Sequence, residues 1–142
     1  MSQKELVRHI NDAIGSHGAW KLRLRTAIST GRGEISSSIA GCDDQCAFGK
    51  WLYGSDIDYT TRAGVPYHVV KRLHAEFHRA AGSVLAYVER GNAGAAQTAM
   101  AGEFTERSEK LVRALAKWKR EAENGVAPMP AASAPFLRKR AA

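Results

Sequence analysis

Three stretches of this chain carry apolar residues at helical spacing, and in two of them a histidine takes a place in the apolar row. Leu6, Ile10, Ala13, His17, Trp20, Leu24 and Ala27 form the first row. Val70, His74, Phe77, Ala81, Val84 and Val88 form the second; Met100, Phe104, Ser108, Leu111, Leu115 and Trp118 form the third. Steps of three and four residues put each row on one face of a helix, and such a face is stable only when buried against other helices. Alternation of strand length is missing, so the pattern points to an all-α fold.

The spacing predicts one helix over residues 3–29, ended by Gly31 and Gly33, and another from Pro66 to Gly91 and Asn92. A last helix is predicted from Ala93 to about Glu123. Between the first two, Gly41, Gly49 and Gly54 break the chain into short pieces. One of these, CAFGKWL, is expected to form a short helix capped by Asp43 or Asp44. Together these elements predict an antiparallel four-helix bundle with one or two short extra helices.

Residues 1–123 make up this bundle, and 124–142 read differently. The segment NGVAPMPAASAPFLRKRAA holds three of the four prolines and shows no periodicity, which predicts a disordered, solvated basic tail. Three of the seven surplus positive charges sit there, on Arg138, Lys139 and Arg140. With acids scattered through the rest and no long basic stripe, the charge argues against a nucleic-acid partner, although Lys21, Arg23 and Arg25 keep that as a minor reading. No stretch approaches the roughly 20 apolar residues of a membrane span, and no secretory leader is evident, so the expected location is the cytoplasm. A reducing compartment disfavours a disulfide staple, which directs attention to metal binding or redox chemistry at Cys42 and Cys46, the two cysteines.

A single histidine in a core row is ordinarily a hydrogen-bonded core residue. Here His17 and His74 face the same interior, and His78 follows His74 by one turn. Each buried imidazole needs a partner, and one metal ion would serve all three. Histidines at i and i+4 are a standard half-site for Zn²⁺. His9 and His68 fall off these faces and are expected to be exposed. Two ligand sets then compete. Spacing favours Cys42, Cys46, His74 and His78, a finger-like set. Helix geometry favours His17, Cys46, His74 and His78 inside the bundle. The finger set leaves the inward His17 unexplained.

H-x-x-W at His17–Trp20, C-x-F-G-K-W at Cys46–Trp51 and H-x-x-x-H at His74–His78 together resemble the chemoreceptor zinc-binding domain (CZB) family. Order and long intervals agree as well as the short motifs, and the likeness covers about residues 3–123. The resemblance implies a helical bundle around a buried site, with one Zn²⁺ per chain held by His17, Cys46, His74 and His78. Trp20 and Trp51 match the motif tryptophans and Gly49 the motif glycine, as supports of the site. Gly49 would allow close backbone packing, and a ring such as Trp51 would shield the metal from water. The family further implies a bacterial cytoplasmic signalling module, chemotaxis- or cyclic-di-GMP-linked and dimeric, that senses zinc or oxidants such as hypochlorous acid through Cys46. This sequence shows neither a receptor coiled coil nor a cyclase domain, so a signalling partner acting in trans is expected. Four protein ligands close a tetrahedral zinc site, which argues against an enzyme. A structural-zinc adaptor without sensing is the alternative. Cys42 lies outside the family motif; a small buried residue is the expectation, a resolving thiol the other reading.

Overall fold

The computed structural model describes residues 1–131. These residues are largely helical and form no strand, as the apolar rows require. Eight α-helices run in the order α1 (Gln3–Gly18), α2 (Trp20–Thr30), α3 (Ser37–Ala40), α4 (Ala47–Tyr53), α5 (Tyr59–Arg62), α6 (Val65–Glu89), α7 (Ala93–Ala99) and α8 (Thr105–Glu123). A π-helical turn over Met100–Phe104 joins α7 to α8.

Two predicted helices are therefore interrupted. The first breaks at Ala19, immediately after Gly15, Ser16 and Gly18, residues that hold helical backbone weakly and commonly mark kinks. His17 thus lies in the last turn of α1, and Trp20 opens α2. The third absorbs an extra residue in its π turn, where the Thr105 hydroxyl donates to Met100 O at 2.7 Å. That turn keeps Met100 and Phe104 buried together, and Phe104 packs on Phe77 of α6.

The central element is α6, against which α2, α3, α7 and α8 all pack. Its twelve buried residues include His74 and His78 among Val70, Phe77, Ala81 and Val84. Helix α1 packs along α8, and the Gln3 side chain donates to Ala122 O and Glu123 O at the far end of α8, so the two run antiparallel. A crossover of residues 31–64 returns the chain to where α1 began: Asp58 and Thr61 line a cleft with Ser2 and Gln3. Helix α6 starts there, and α8 runs back against it.

Residues 124–131 are irregular, yet they lie on the helices. Gly125 adopts φ 68°, a left-handed turn that redirects the chain after α8. Val65 N–H then donates to Met129 O at 2.7 Å, and Ala131 N–H to Ala63 O at 2.8 Å. The rest of the expected tail, 132–142, falls outside the described residues. No helix among the described residues is long and apolar enough to cross a membrane.

One close approach governs the crossover. A Cβ on Gly82 of α6 would lie 2.9 Å from Gly41 Cα and 3.0 Å from Ser37 O, so α3 rests directly on the α6 backbone. Gly82→Ala should cost about 1–3 kcal/mol in a urea unfolding experiment, because the overlap is with backbone that cannot rotate away. Gly15→Ala, at an exposed helical site with nothing within 4 Å, should gain about 0.5–1 kcal/mol. Equal effects of the two substitutions would contradict this packing.

Candidate metal centre

His17, Cys46, His74 and His78 point one donor atom each at a common centre, all within 4.8 Å of one another. Nε2 of His17 lies 3.0 Å from Nε2 of His74 and 3.3 Å from Nε2 of His78. Sγ of Cys46 lies 3.3 Å from His74 Nε2, 3.6 Å from His78 Nε2 and 3.9 Å from His17 Nε2. A tetrahedral ion with Zn–N of about 2.0 Å and Zn–S of about 2.3 Å sets N···N edges of about 3.3 Å and N···S edges of about 3.5 Å. These five edges, 3.0–3.9 Å, lie within about 0.4 Å of those values.

The hydrogen bonds on the outer ring nitrogens say what the inner ones carry. His17 Nδ1 is 2.8 Å from Ala13 O, one turn back on α1. His78 Nδ1 is 2.9 Å from Ala40 O, the last residue of α3. A carbonyl only accepts, so each Nδ1 carries the proton and each Nε2 presents a bare lone pair inward. Two such lone pairs 3.3 Å apart repel unless a cation lies between them. His74 lacks the outer contact: its Nδ1 is buried with no hydrogen-bond partner among the described residues.

Burial sets the protonation in the same direction. Desolvation lowers His17 to about 4 against the opposing effect of the hydrogen bond it donates to Ala13 O. It lowers His74 to about 2, with the neighbouring His78 and His17 adding to the effect, and it lowers His78 too. The imidazoles are therefore neutral at physiological pH, the form that binds metal. Burial also raises the Cys46 thiol, partly offset by the backbone hydrogen bond from Gly49. A bound cation would reverse that last effect and hold the thiolate.

Cys46 is placed by its helix. It is the N-cap of α4, and its Sγ accepts the Gly49 N–H at 3.3 Å. The cap is thus the sulfur itself, and neither Asp43 nor Asp44 takes that role. A thiolate at a helix N-terminus also meets unpaired N–H groups and the positive end of the dipole. Gly49 has no room for a side chain: a Cβ there would lie 1.8 Å from Asp43 O. The Asp43 carboxylate accepts from the Tyr53 hydroxyl at 2.5 Å, fastening the start of the Cys46 loop to the end of α4. The other anchored carbonyl, Ala40 O, depends on α3. Glu89 of α6 accepts from Ser37 N–H at 2.7 Å and Ser37 Oγ–H at 2.6 Å, and the Gly41–Gly82 approach fixes the far end.

The rings around the donors are Phe48, Phe77 and Trp20. Phe48 meets His17 and His74 edge-on at 5.9 and 5.2 Å; Phe77 meets His17 and His78 at 5.1 and 5.3 Å. Trp20 meets His78 at 5.9 Å. Trp51 lies one ring further out, stacked on Phe48 at 5.5 Å, so the immediate screen is Phe48. His9 is half-buried where exposure is expected, because Trp51 brings its ring flat against it at 4.5 Å. His68 is exposed. Cys42 is exposed as well, contrary to the buried position expected: α3 ends at Ala40, Gly41 fills the contact with Gly82, and Cys42 turns outward. Ala13 O, Ala40 O and Gly82 carry no motif signal of their own, whereas Phe48 is the phenylalanine of the C-x-F-G-K-W motif. Only the helical register of Ala13, four residues before His17, could have suggested its part.

One face of the cluster is reachable. A cleft of about 310 Å³ bounded by Ser16, Trp20, Cys42, Cys46 and His78 leads to it, and Cys46 is half-buried at its floor.

Residues 17–85 match the family model described as the chemoreceptor zinc-binding domain. No curated protein and no solved structure matches the chain.

Two outcomes follow from this geometry. Gly49→Ala should weaken zinc binding roughly ten- to a hundredfold in a chelator competition, since the Cys46 cap must shift; affinity within twofold of wild type would contradict it. Histidines of the unfolded chain protonate near 6.5, whereas the fold excludes the proton from His17 until about 4. Stability of the metal-free protein should therefore be full above pH 6.5 and fall as pH drops towards 4, by up to about 1.4 kcal/mol per unit for each such histidine. Denaturation midpoints that stay flat across that window would contradict the burial of neutral imidazoles.

Proposed function

We propose that this chain, whose residues 17–85 match the chemoreceptor zinc-binding domain model, is a regulatory module whose one zinc reports zinc level or oxidant to a signalling partner. When bound, zinc held by His17, Cys46, His74 and His78 would link α1, the α4 cap and α6, with no redox change of its own. The observation that carries this reading is the mixed donor set. Three neutral imidazoles and one thiolate would fill all four positions of a bound zinc, which would leave no place for a reactive water and disfavours an enzyme. Cys46 is the redox-active donor and sits where the cleft meets the cluster.

The protein's own residues perform the switch. With Cys46 in the thiolate form, its sulfur both caps α4 and completes the donor set. Oxidation of that sulfur towards sulfenic acid removes the negative charge and weakens its donation to the metal. The α4 cap and the Asp43–Gly49 contact then lose their tie to α1 and α6, and the local structure loosens because metal affinity is also folding free energy. A partner acting in trans, in chemotaxis or cyclic-di-GMP signalling, would read that change. A cytoplasmic, homodimeric setting is part of this reading. The second reading, a structural zinc in an interaction adaptor, keeps the same donors and differs only in its response to oxidant.

Metal analysis before and after one equivalent of hydrogen peroxide separates them. Wild type should bind about one zinc per chain and lose most of it on oxidation, while Cys46→Ser should bind more weakly and ignore the oxidant. Zinc content unchanged by oxidant in the wild type would leave the adaptor reading; no zinc at all would remove both.

A further inference from the structure

Cys42 is the one feature around the site that the zinc reading leaves without a task. It stands outside the donor set, four residues before Cys46. The Cys42 side chain is exposed, and its Sγ–H donates to Ser38 O at 3.2 Å. Both cysteines line the same cleft of about 310 Å³. The residues between them are not helical: the Asp43 carbonyl lies close against Gly49 and its carboxylate accepts from Tyr53, whereas Asp44 and Gln45 are exposed. The second half of this loop is therefore free of helical restraint, and it ends at the sulfur of Cys46.

We propose that Cys42 is the resolving thiol of Cys46, so that a hydroperoxide converts the pair to an intrachain disulfide and takes Cys46 out of the donor set reversibly. The proposal rests on the sensing reading above and gives its regulation a second residue. In the first step the Cys46 thiolate attacks the hydroperoxide ROOH. The O–O bond breaks, Cys46 becomes the sulfenic acid, and the alkoxide leaves and takes a proton from solvent as ROH. In the second step the Cys42 thiolate attacks Cys46 Sγ. The S–S bond forms, the S–O bond breaks, and hydroxide leaves with the proton Cys42 gave up, as water. The two sulfurs lose two electrons, and the hydroperoxide is reduced to ROH and water.

The disulfide and the four-donor cluster exclude each other. A disulfide sulfur carries no thiolate charge, and its Cβ must lie about 3.8 Å from that of Cys42, a demand independent of the three imidazoles. A loop this short and exposed also makes the bond easy to reduce, as suits a transient bond in a reducing compartment. Without Cys42 the sulfenic acid has no neighbouring thiol and proceeds to sulfinic acid, which ordinary reductants do not reverse.

The test uses the full zinc-loaded chain, with wild type and Cys42→Ser compared at one and ten equivalents of hydrogen peroxide. Three readings are taken: zinc released, intact mass of the chain, and zinc rebound after a phosphine reductant. Both proteins should start with equal zinc, because Cys42 is not a donor; loss of zinc from Cys42→Ser at the start would overturn the assignment. Wild type should release zinc, lose two hydrogens in mass and rebind most of the zinc after reduction. Cys42→Ser should release zinc, gain two oxygens and rebind several-fold less. Equal rebinding in the two proteins, or a disulfide that links two chains, would overturn the proposal while leaving oxidant sensing intact. Zinc retained by both proteins would instead remove the sensing reading on which the proposal stands.

Discussion

Two carbonyl groups decide the chemistry of this protein. Ala13 O and Ala40 O each accept the proton-bearing Nδ1 of a buried histidine, and so turn the opposite nitrogen, bare, towards its neighbours. Close-packed lone pairs and a buried thiol are costly in a metal-free interior. The same arrangement becomes favourable around a divalent cation, which satisfies every inward donor at once. A metal bound there would relieve that cost, so its affinity would add to the folding free energy of the bundle.

Much of the remaining architecture serves to bring those carbonyls and the sulfur into place. The break at Ala19 ends α1 just beyond His17 and lets Trp20 face His78 from a new helix. Gly82 and Gly41 bring α3 onto α6, and Glu89 holds its other end, so that Ala40 O reaches His78. Gly49 lets the Asp43 carbonyl lie against α4, which sets the position of the Cys46 cap. Small residues appear where backbone must approach backbone, and aromatic ones where water must be kept from the donors.

The helical class was legible from the apolar rows, because a buried face imposes its period on the residues that form it. The ligand candidates were legible for the same reason: His17 and His74 occupy positions where an unpartnered polar group would be costly. The choice between the two ligand sets, Cys42 or His17 beside Cys46, His74 and His78, was not settled by the sequence, because spacing favoured Cys42 and helix geometry favoured His17. Geometry separates them: Cys42 faces solvent beside Ser38 while His17 lies 1% exposed within the cluster. Gly15, Ser16 and Gly18 mark the helix break in the sequence, but the π turn and the sulfur cap were hidden. Each depends on tertiary contacts that override local periodicity, and a cysteine carries no standard capping signal. The packing of residues 124–131 was hidden likewise, since it rests on backbone hydrogen bonds to Ala63 and Val65 that any sequence could donate or accept.

X-ray absorption at the zinc edge of the reconstituted protein tests the donor set most directly. Three nitrogens at about 2.0 Å and one sulfur at about 2.3 Å are expected, with the sulfur shell absent in Cys46→Ser and intact in Cys42→Ser. A shell with two sulfurs, or one with oxygen where Cys46 should be, would contradict the three-histidine, one-cysteine centre.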